Sequence, residues 1–281
     1  MTLRRTRIGE LTIAYREAGR GPTVLLIHGW PTSSYLWRDV IPWLAPTNRV
    51  VAIDLPGFGG SAKPLDAPYD LPYFEHVLDG FLDDLGVDRL ALVGHDIGGP
   101  IAVSWALHRP ERVLGLGILN TVLDGELSDA AAELLRVLAT PGARNRLVSR
   151  RGLATVMRLG VADSTRLDED TLAAVAAPFA DDDAREALTR AANGLDPRAL
   201  AEVTAGLTAI TAPVRIIFGR HDPLLPDVDR AVSRLTARIP HADATVLDRC
   251  GHFLQEEEPE RIGRLLATFL GTLATGPART G

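Results

Sequence analysis

The stretch Leu90-Ala91-Leu92-Val93-Gly94-His95-Asp96-Ile97-Gly98-Gly99-Pro100-Ile101-Ala102 constrains the fold more than any other part of the chain. A short apolar run breaks into Gly-x-Asp-x-Gly and resumes as an Ala-rich apolar segment, the pattern of a buried strand that turns sharply into a helix. So tight a turn strains the backbone of its central residue and presses its flanks together, which favours flanking residues without side chains. Gly94 and Gly98 meet that need and leave Asp96 at the apex. There the carboxylate stands above the strand end, with the backbone N–H of Ile97 and the start of the next helix beneath it, a place suited to negative charge. The same residues also fit an aspartate capping an ordinary helix, so partners elsewhere in the chain decide between the two.

A second strand end has matching character. Thr23-Val24-Leu25-Leu26-Ile27 is a continuous apolar run, as in a strand buried on both faces, and it ends in His28-Gly29-Trp30-Pro31. Gly29 lets the backbone bend under a ligand, and the N–H of Trp30 is placed to be a second oxyanion donor. Apolar runs over 49–53, 113–119 and 214–218, with a last strand over 244–247, alternate with helix-compatible segments over 71–85, 101–108, 227–239 and 259–273. Residues 7–16 read as one or two edge strands, and Thr32-Ser33-Ser34 as the cap of a helix running through Ile41. This alternation predicts an α/β fold, a mainly parallel sheet covered by helices on both faces, with ligands beyond the carboxyl ends of the strands.

Between Val122 and Ile210 the strand-like runs stop, and Ala, Leu, Arg and Asp take over at helical spacing. Pro141, Pro178 and Pro197 divide the segment into short helices. Residues 122–210 therefore read as an inserted helical cap, and 1–121 with 211–281 as the core.

Composition narrows the function classes. The 281 residues are 46% hydrophobic and 23% charged, as in a globular protein large enough for one core and an inserted subdomain. A net charge of −6 without a basic stripe argues against a nucleic-acid partner. Met1-Thr2-Leu3-Arg4-Arg5 runs straight into strand-like sequence, and no apolar run is long enough for a bilayer, so no membrane partner and a cytoplasmic location are expected. Cys250 is the only cysteine, which excludes an intrachain disulfide. Neither a metal nor a cofactor is expected, the partner is a small molecule, and oligomeric state stays open.

Three chemistry-bearing residues fall at strand ends in the order Asp96, Asp222, His252, within Gly219-Arg220-His221-Asp222-Pro223 and Cys250-Gly251-His252-Phe253. Nucleophile, acid, then histidine is the order of one triad fold, and with His28-Gly29-Trp30-Pro31 the chain resembles the α/β-hydrolase family. Within it the resemblance is to the aspartate-nucleophile branch of haloalkane dehalogenases and epoxide hydrolases, and it covers nearly everything outside the cap. A carboxylate is charged at neutral pH and displaces a leaving group from saturated carbon without prior deprotonation, giving an alkyl ester on Asp96. His252, oriented by Asp222, then activates the water that attacks this ester, and the N–H groups of Trp30 and Ile97 receive the oxyanion. Some members of the branch take the orienting acid from the strand end before the cap, where Asp124 lies, but Asp222 follows a clear strand.

The leaving-group site departs from both relatives. Epoxide hydrolases of this type protonate the alkoxide with cap tyrosines, yet Val122 to Ile210 contains no Tyr, Trp or His. Haloalkane dehalogenases usually place Trp after the nucleophile and often Asn after His-Gly, where this chain has Ile97 and Trp30. An alkoxide leaves poorly without an acid, whereas a halide needs only a weak donor such as the Trp30 indole, which puts dehalogenation ahead of epoxide hydrolysis. Fluoroacetate dehalogenase relatives hold the substrate carboxylate with an Arg after the nucleophile, where this chain has Ile97; Arg150-Arg151 or Arg158 of the cap are the alternative carboxylate site, against the commoner reading of a solvated helix face. A binding protein, or a non-hydrolytic enzyme on the same scaffold, is the rival class.

Overall fold

The computed structural model describes residues 1–123, 128–225 and 227–275. Eight strands, β1 (Leu3–Ile8), β2 (Leu11–Ala18), β3 (Thr23–Ile27), β4 (Arg49–Ile53), β5 (Leu90–His95), β6 (Val113–Leu119), β7 (Val214–Gly219) and β8 (Asp243–Leu247), form one sheet in the order β1-β2-β4-β3-β5-β6-β7-β8. β2 runs antiparallel to both neighbours, and every pairing from β4 to β8 is parallel. The amino-terminal segment expected as one or two edge strands is a hairpin of two, of which β1 takes the edge while β2 is paired on both sides.

The apolar runs become strands because both faces of the sheet are covered. Leu25 and Ile27 face one core layer, and Val24 and Leu26 the other, as the two-residue period of a strand requires. Helices Leu71–Asp84, Gly98–His108 and Val228–Arg238 pack Phe74, Ile101 and Leu235 into the first layer. Helices Ile41–Leu44 and Pro259–Thr275 pack Ile41, Leu44, Ile262 and Leu266 into the second. The single helix expected from Thr32 to Ile41 is instead a 3₁₀ turn over Ser34–Trp37, capped by the Ser33 hydroxyl, followed by a separate short helix. Pro42 near the start of that second helix has no N–H to continue a preceding one.

Six α-helices span the insertion among the described residues: Asp129–Ala139, Pro141–Leu147, Arg150–Leu159, Glu169–Ala176, Asp182–Asn193 and Pro197–Gly206. Ser128, Ser149, Asp168, Asp181 and Asp196 each accept a backbone N–H at a helix start, so side-chain caps set these boundaries. Pro141 and Pro197 open helices, and Pro178 sits in the 3₁₀ turn Ala177–Phe179. No helix of the described residues is long and apolar enough to cross a membrane.

Register aligns the pieces of the site. Ile27 lies opposite Gly94, and His95 opposite Leu119, so the loops after β3, β5 and β6 leave the sheet side by side at its carboxyl edge.

Candidate active site

Asp96 sits on the elbow with φ of 52°, a left-handed backbone that costs a non-glycine residue of order 1–3 kcal/mol. The surroundings hold it there. Its carbonyl accepts from Gly99 N at 2.9 Å and from the Thr121 hydroxyl at 2.6 Å, and its N–H faces the carbonyl of Asn120 at 3.2 Å. A Cβ on Gly94 would strike the Gly98 carbonyl, and one on Gly98 would lie 2.6 Å from both the Ile27 and His28 carbonyl oxygens. The glycines expected to permit the turn are therefore required by direct backbone contact.

Trp30 N donates to Asp96 Oδ2 at 2.8 Å, and the neighbouring Ile97 N–H also favours the charge of this carboxylate. Both backbone groups expected as oxyanion donors thus converge on the side chain between them. His28 sets the loop that carries Trp30. It donates from Nδ1 to the Gly29 carbonyl at 2.9 Å and accepts at Nε2 from Leu55 N at 3.0 Å, a pattern that fixes a neutral tautomer, and burial lowers its pKa.

His252 Nδ1 lies 2.9 Å from Asp222 Oδ2, and its Nε2 lies 4.0 Å from Asp96 Oδ1. The sequence-predicted residues Asp96, Asp222 and His252 are therefore brought together. Burial works against the Asp222 charge, but His252, the Leu224 N–H at 2.8 Å and the Asn120 amide at 2.6 Å outweigh it and hold the carboxyl below its ordinary value. Burial likewise favours neutral His252, yet the charge and hydrogen bond of Asp222, with the charge of Asp96, keep its pKa above the usual imidazole value. Burial pushes the Asp96 carboxyl up, against the pull of His252 and the two N–H groups.

Two residues outside the triad complete the arrangement. Asn120, directly after β6 with φ of 34°, accepts at Oδ1 from Gly219 N at 2.7 Å while its amide serves Asp222. A buried polar residue at the same strand edge as Asp96 was the one clue to it. His95 donates from Nε2 to the His252 carbonyl at 2.9 Å, and burial, then the nearby His252, lowers its pKa to about 3. It is thus a neutral prop beneath the histidine loop. His221 is exposed, Cys250 is buried with its thiol pushed up to about 12, and Asp124 lies outside the described residues.

A cavity of about 460 Å³ lies over Asp96 and His252, between the sheet edge and the helical insertion. Leu134, Leu138, Leu147, Val156, Leu195 and Leu200 of the insertion supply much of its wall. Trp30 also lines it, and its indole N–H is buried without a hydrogen-bond partner. Ile97 presents an aliphatic side chain there. Arg150 and Arg151 are exposed and Arg158 bonds Glu169 at 2.6 Å, so these arginines stay outside the wall. Among the described residues no group of His, Cys, Asp and Glu side chains could hold a metal ion.

Relatives share this architecture. A family model described as alpha/beta hydrolase fold matches residues 22–259. A haloalkane dehalogenase of Mesorhizobium japonicum is 33% identical over 278 residues, 93% of this chain and 88% of that protein. Haloalkane dehalogenase 2 of Mycobacterium tuberculosis is 32% identical over 92% of this chain and 91% of its own length. The crystal structure of haloalkane dehalogenase DbeA from Bradyrhizobium elkani superposes with a TM-score of 0.85 at 30% identity, covering 98% of this chain and 99% of that one. With an aspartate on the elbow, a histidine facing it and a second aspartate behind, the chain belongs to the α/β-hydrolase family, in its aspartate-nucleophile branch.

Proposed function

We propose that this protein removes halide from neutral, apolar haloalkanes by way of an ester on Asp96. Oδ2 of Asp96 is engaged by Trp30 N, which leaves Oδ1, on the His252 side, to attack the halogen-bearing carbon. The C–O bond forms as the C–X bond breaks, and the halide departs with the bonding pair. His252 takes a proton from water, and the hydroxyl adds to the Asp96 carboxyl carbon. The oxyanion then forms on Oδ2, which already accepts from the Trp30 N–H, with the Ile97 N–H as the second donor of this reading. Collapse expels the alcohol, which takes the proton back from His252. The balance is haloalkane and water to alcohol, halide and a proton. In this reading residues 122–210 form the cap over a core of 1–121 and 211–281.

One observation favours halide over epoxide. An epoxide oxygen leaves as an alkoxide and needs a proton. Apart from Asp96 and His252, the single ionisable residue among the described lining is Glu133. Its carboxylate bonds Arg136 twice, at 2.6 and 2.7 Å, and this pairing holds its pKa below the ordinary value, so it offers no proton near neutrality. The Trp30 indole N–H, buried and unpartnered, suits a halide that needs only a weak donor. The wall also lacks a cation among the described residues, which fits a substrate without a carboxylate.

The test is turnover of a bromohexane and an epoxyhexane by the purified protein under one set of conditions. Bromide release with little diol is the expected result. Diol formation without bromide release would assign the chain to epoxide hydrolysis.

A further inference from the structure

The loop that carries His252 is tied from both sides by one carboxylate outside the triad. Glu257 is buried; its Oε2 accepts from Gly251 N at 2.6 Å, and its Oε1 accepts from Ala162 N at 2.8 Å and Asp163 N at 3.1 Å. The latter two belong to the insertion, just beyond helix Arg150–Leu159. From the same segment, the Gly160 carbonyl accepts from His252 N at 2.6 Å and Phe253 N at 3.2 Å. The fit leaves no slack, since a Cβ on Gly251 would lie 2.5 Å from the Gly160 oxygen and 2.9 Å from Ala162 N. The backbone N–H of the candidate base is therefore satisfied by the insertion, and Glu257 joins that segment to the residue before the base.

Glu256, one position earlier, bonds elsewhere. Its two oxygens accept from Arg38 at 2.7 Å each, and Arg38 also reaches the Thr171 hydroxyl at 3.3 Å. Its side chain ties the same short helix to the insertion through Arg38 and makes no hydrogen bond to the histidine loop.

We propose that Glu257 is a positioning residue for the second half-reaction: by holding Gly251 against residues 160–163 it sets the aim of His252 at the water that attacks the ester. This rests on the reading of His252 as base. A buried carboxylate that accepts three N–H groups fixes their separation, whereas an amide turns a donor toward at least one of them. Proton transfer to His252 depends on alignment at the ångström scale. Alkyl transfer to Asp96 needs no base and does not depend on that alignment.

The two half-reactions therefore separate a positioning role from a merely structural one. Rapid quench and intact-mass analysis with a bromohexane would give both rate constants for wild type, Glu257→Gln, Glu257→Ala and Glu256→Gln. We expect alkylation at the wild-type rate in Glu257→Gln, with ester hydrolysis slowed about tenfold to a hundredfold so that the adduct accumulates. Glu257→Ala extends the series if it folds, and the near-isosteric Gln variant decides the matter if it does not. Glu256→Gln should lower the melting temperature without accumulating ester. Equal loss in both half-reactions, or unchanged hydrolysis in folded Glu257→Gln, would overturn the proposal. An absence of adduct on His252→Phe would instead remove the covalent reading beneath it, and the proposal with it.

Discussion

Asn120 donates from Nδ2 to Asp222 Oδ2 at 2.6 Å, from a backbone held at φ of 34°. The same side chain accepts from Gly219 N at 2.7 Å, so one residue after β6 sets both the acid and the end of β7. Asparagine suits the place because it tolerates a left-handed backbone and carries donor and acceptor together. Asn120→Ala leaves a buried N–H and a buried carboxylate each short of a partner, and should cost about 2–4 kcal/mol in urea unfolding. Asn120→Gly, which relieves the backbone, should recover only part of that loss. Wild-type stability in either variant would contradict this account of the acid's support.

The pH profile of ester hydrolysis follows from the charges around His252. Only the neutral imidazole accepts a proton from water, so the rate rises with pH through the His252 pKa. Burial opposes the imidazolium, but Asp222, with the charge of Asp96, keeps that pKa above the ordinary value in the free enzyme. In the ester Asp96 is uncharged, so the limb for hydrolysis should fall below the His252 titration in the free enzyme. Asp222→Asn removes the countercharge, and the limb should move to lower pH while the plateau drops about a hundredfold or more. Single-turnover rates across pH would check this; a limb that stays in place would count against Asp222 as the orienting acid.

Gly29 passes directly beneath the reactive carboxylate. A Cβ there would overlap the Asp96 side chain, with Oδ2 at 2.6 Å. Gly29→Ala should therefore displace the carboxylate from the Trp30 N–H and slow alkylation about a hundredfold. Adduct formation at the wild-type rate in a Gly29→Ala, His252→Phe double variant would contradict this.

Much of this was readable in the sequence because it is local. The elbow, its glycines, the His-Gly-Trp-Pro turn and the order Asp96, Asp222, His252 are each carried by a few adjacent residues, and strand periodicity places them at one sheet edge. His95 sits in the elbow motif itself, but its partner, like those of Asn120 and Glu257, lies far along the chain, at 157, 102 and 95 positions, and nothing in the neighbouring residues encodes it. The Thr32 to Ile41 segment misled for a different reason. Its Ser and Thr caps and apolar spacing suit one helix, but Pro42 and the packing of Trp37 into the second core layer divide it. What the insertion lacks was legible in composition, and the shape of the cavity wall was not. Absence of Tyr, Trp and His left the insertion without the acid an epoxide oxygen needs, while the residues that line the cavity depend on how the insertion's helices pack.

In the proposed reaction the indole of Trp30 is the donor to the departing halide. Trp30→Phe keeps an aromatic ring and the backbone N–H but removes that donor. Chloride displacement should slow about tenfold, a loss of about 1.4 kcal/mol in transition-state stabilisation, and iodide displacement should slow less because iodide needs less help. Halide release from chloro-, bromo- and iodohexane by the two proteins would measure it. A uniform loss across the three halides would point to packing instead.

The most direct test is the intact mass of His252→Phe after incubation with a bromohexane. An increase of one hexyl group, located on Asp96 by peptide mapping and absent from the Asp96→Ala, His252→Phe double variant, is the predicted result. An unchanged mass, or an adduct on any other residue, would contradict the covalent role given to Asp96.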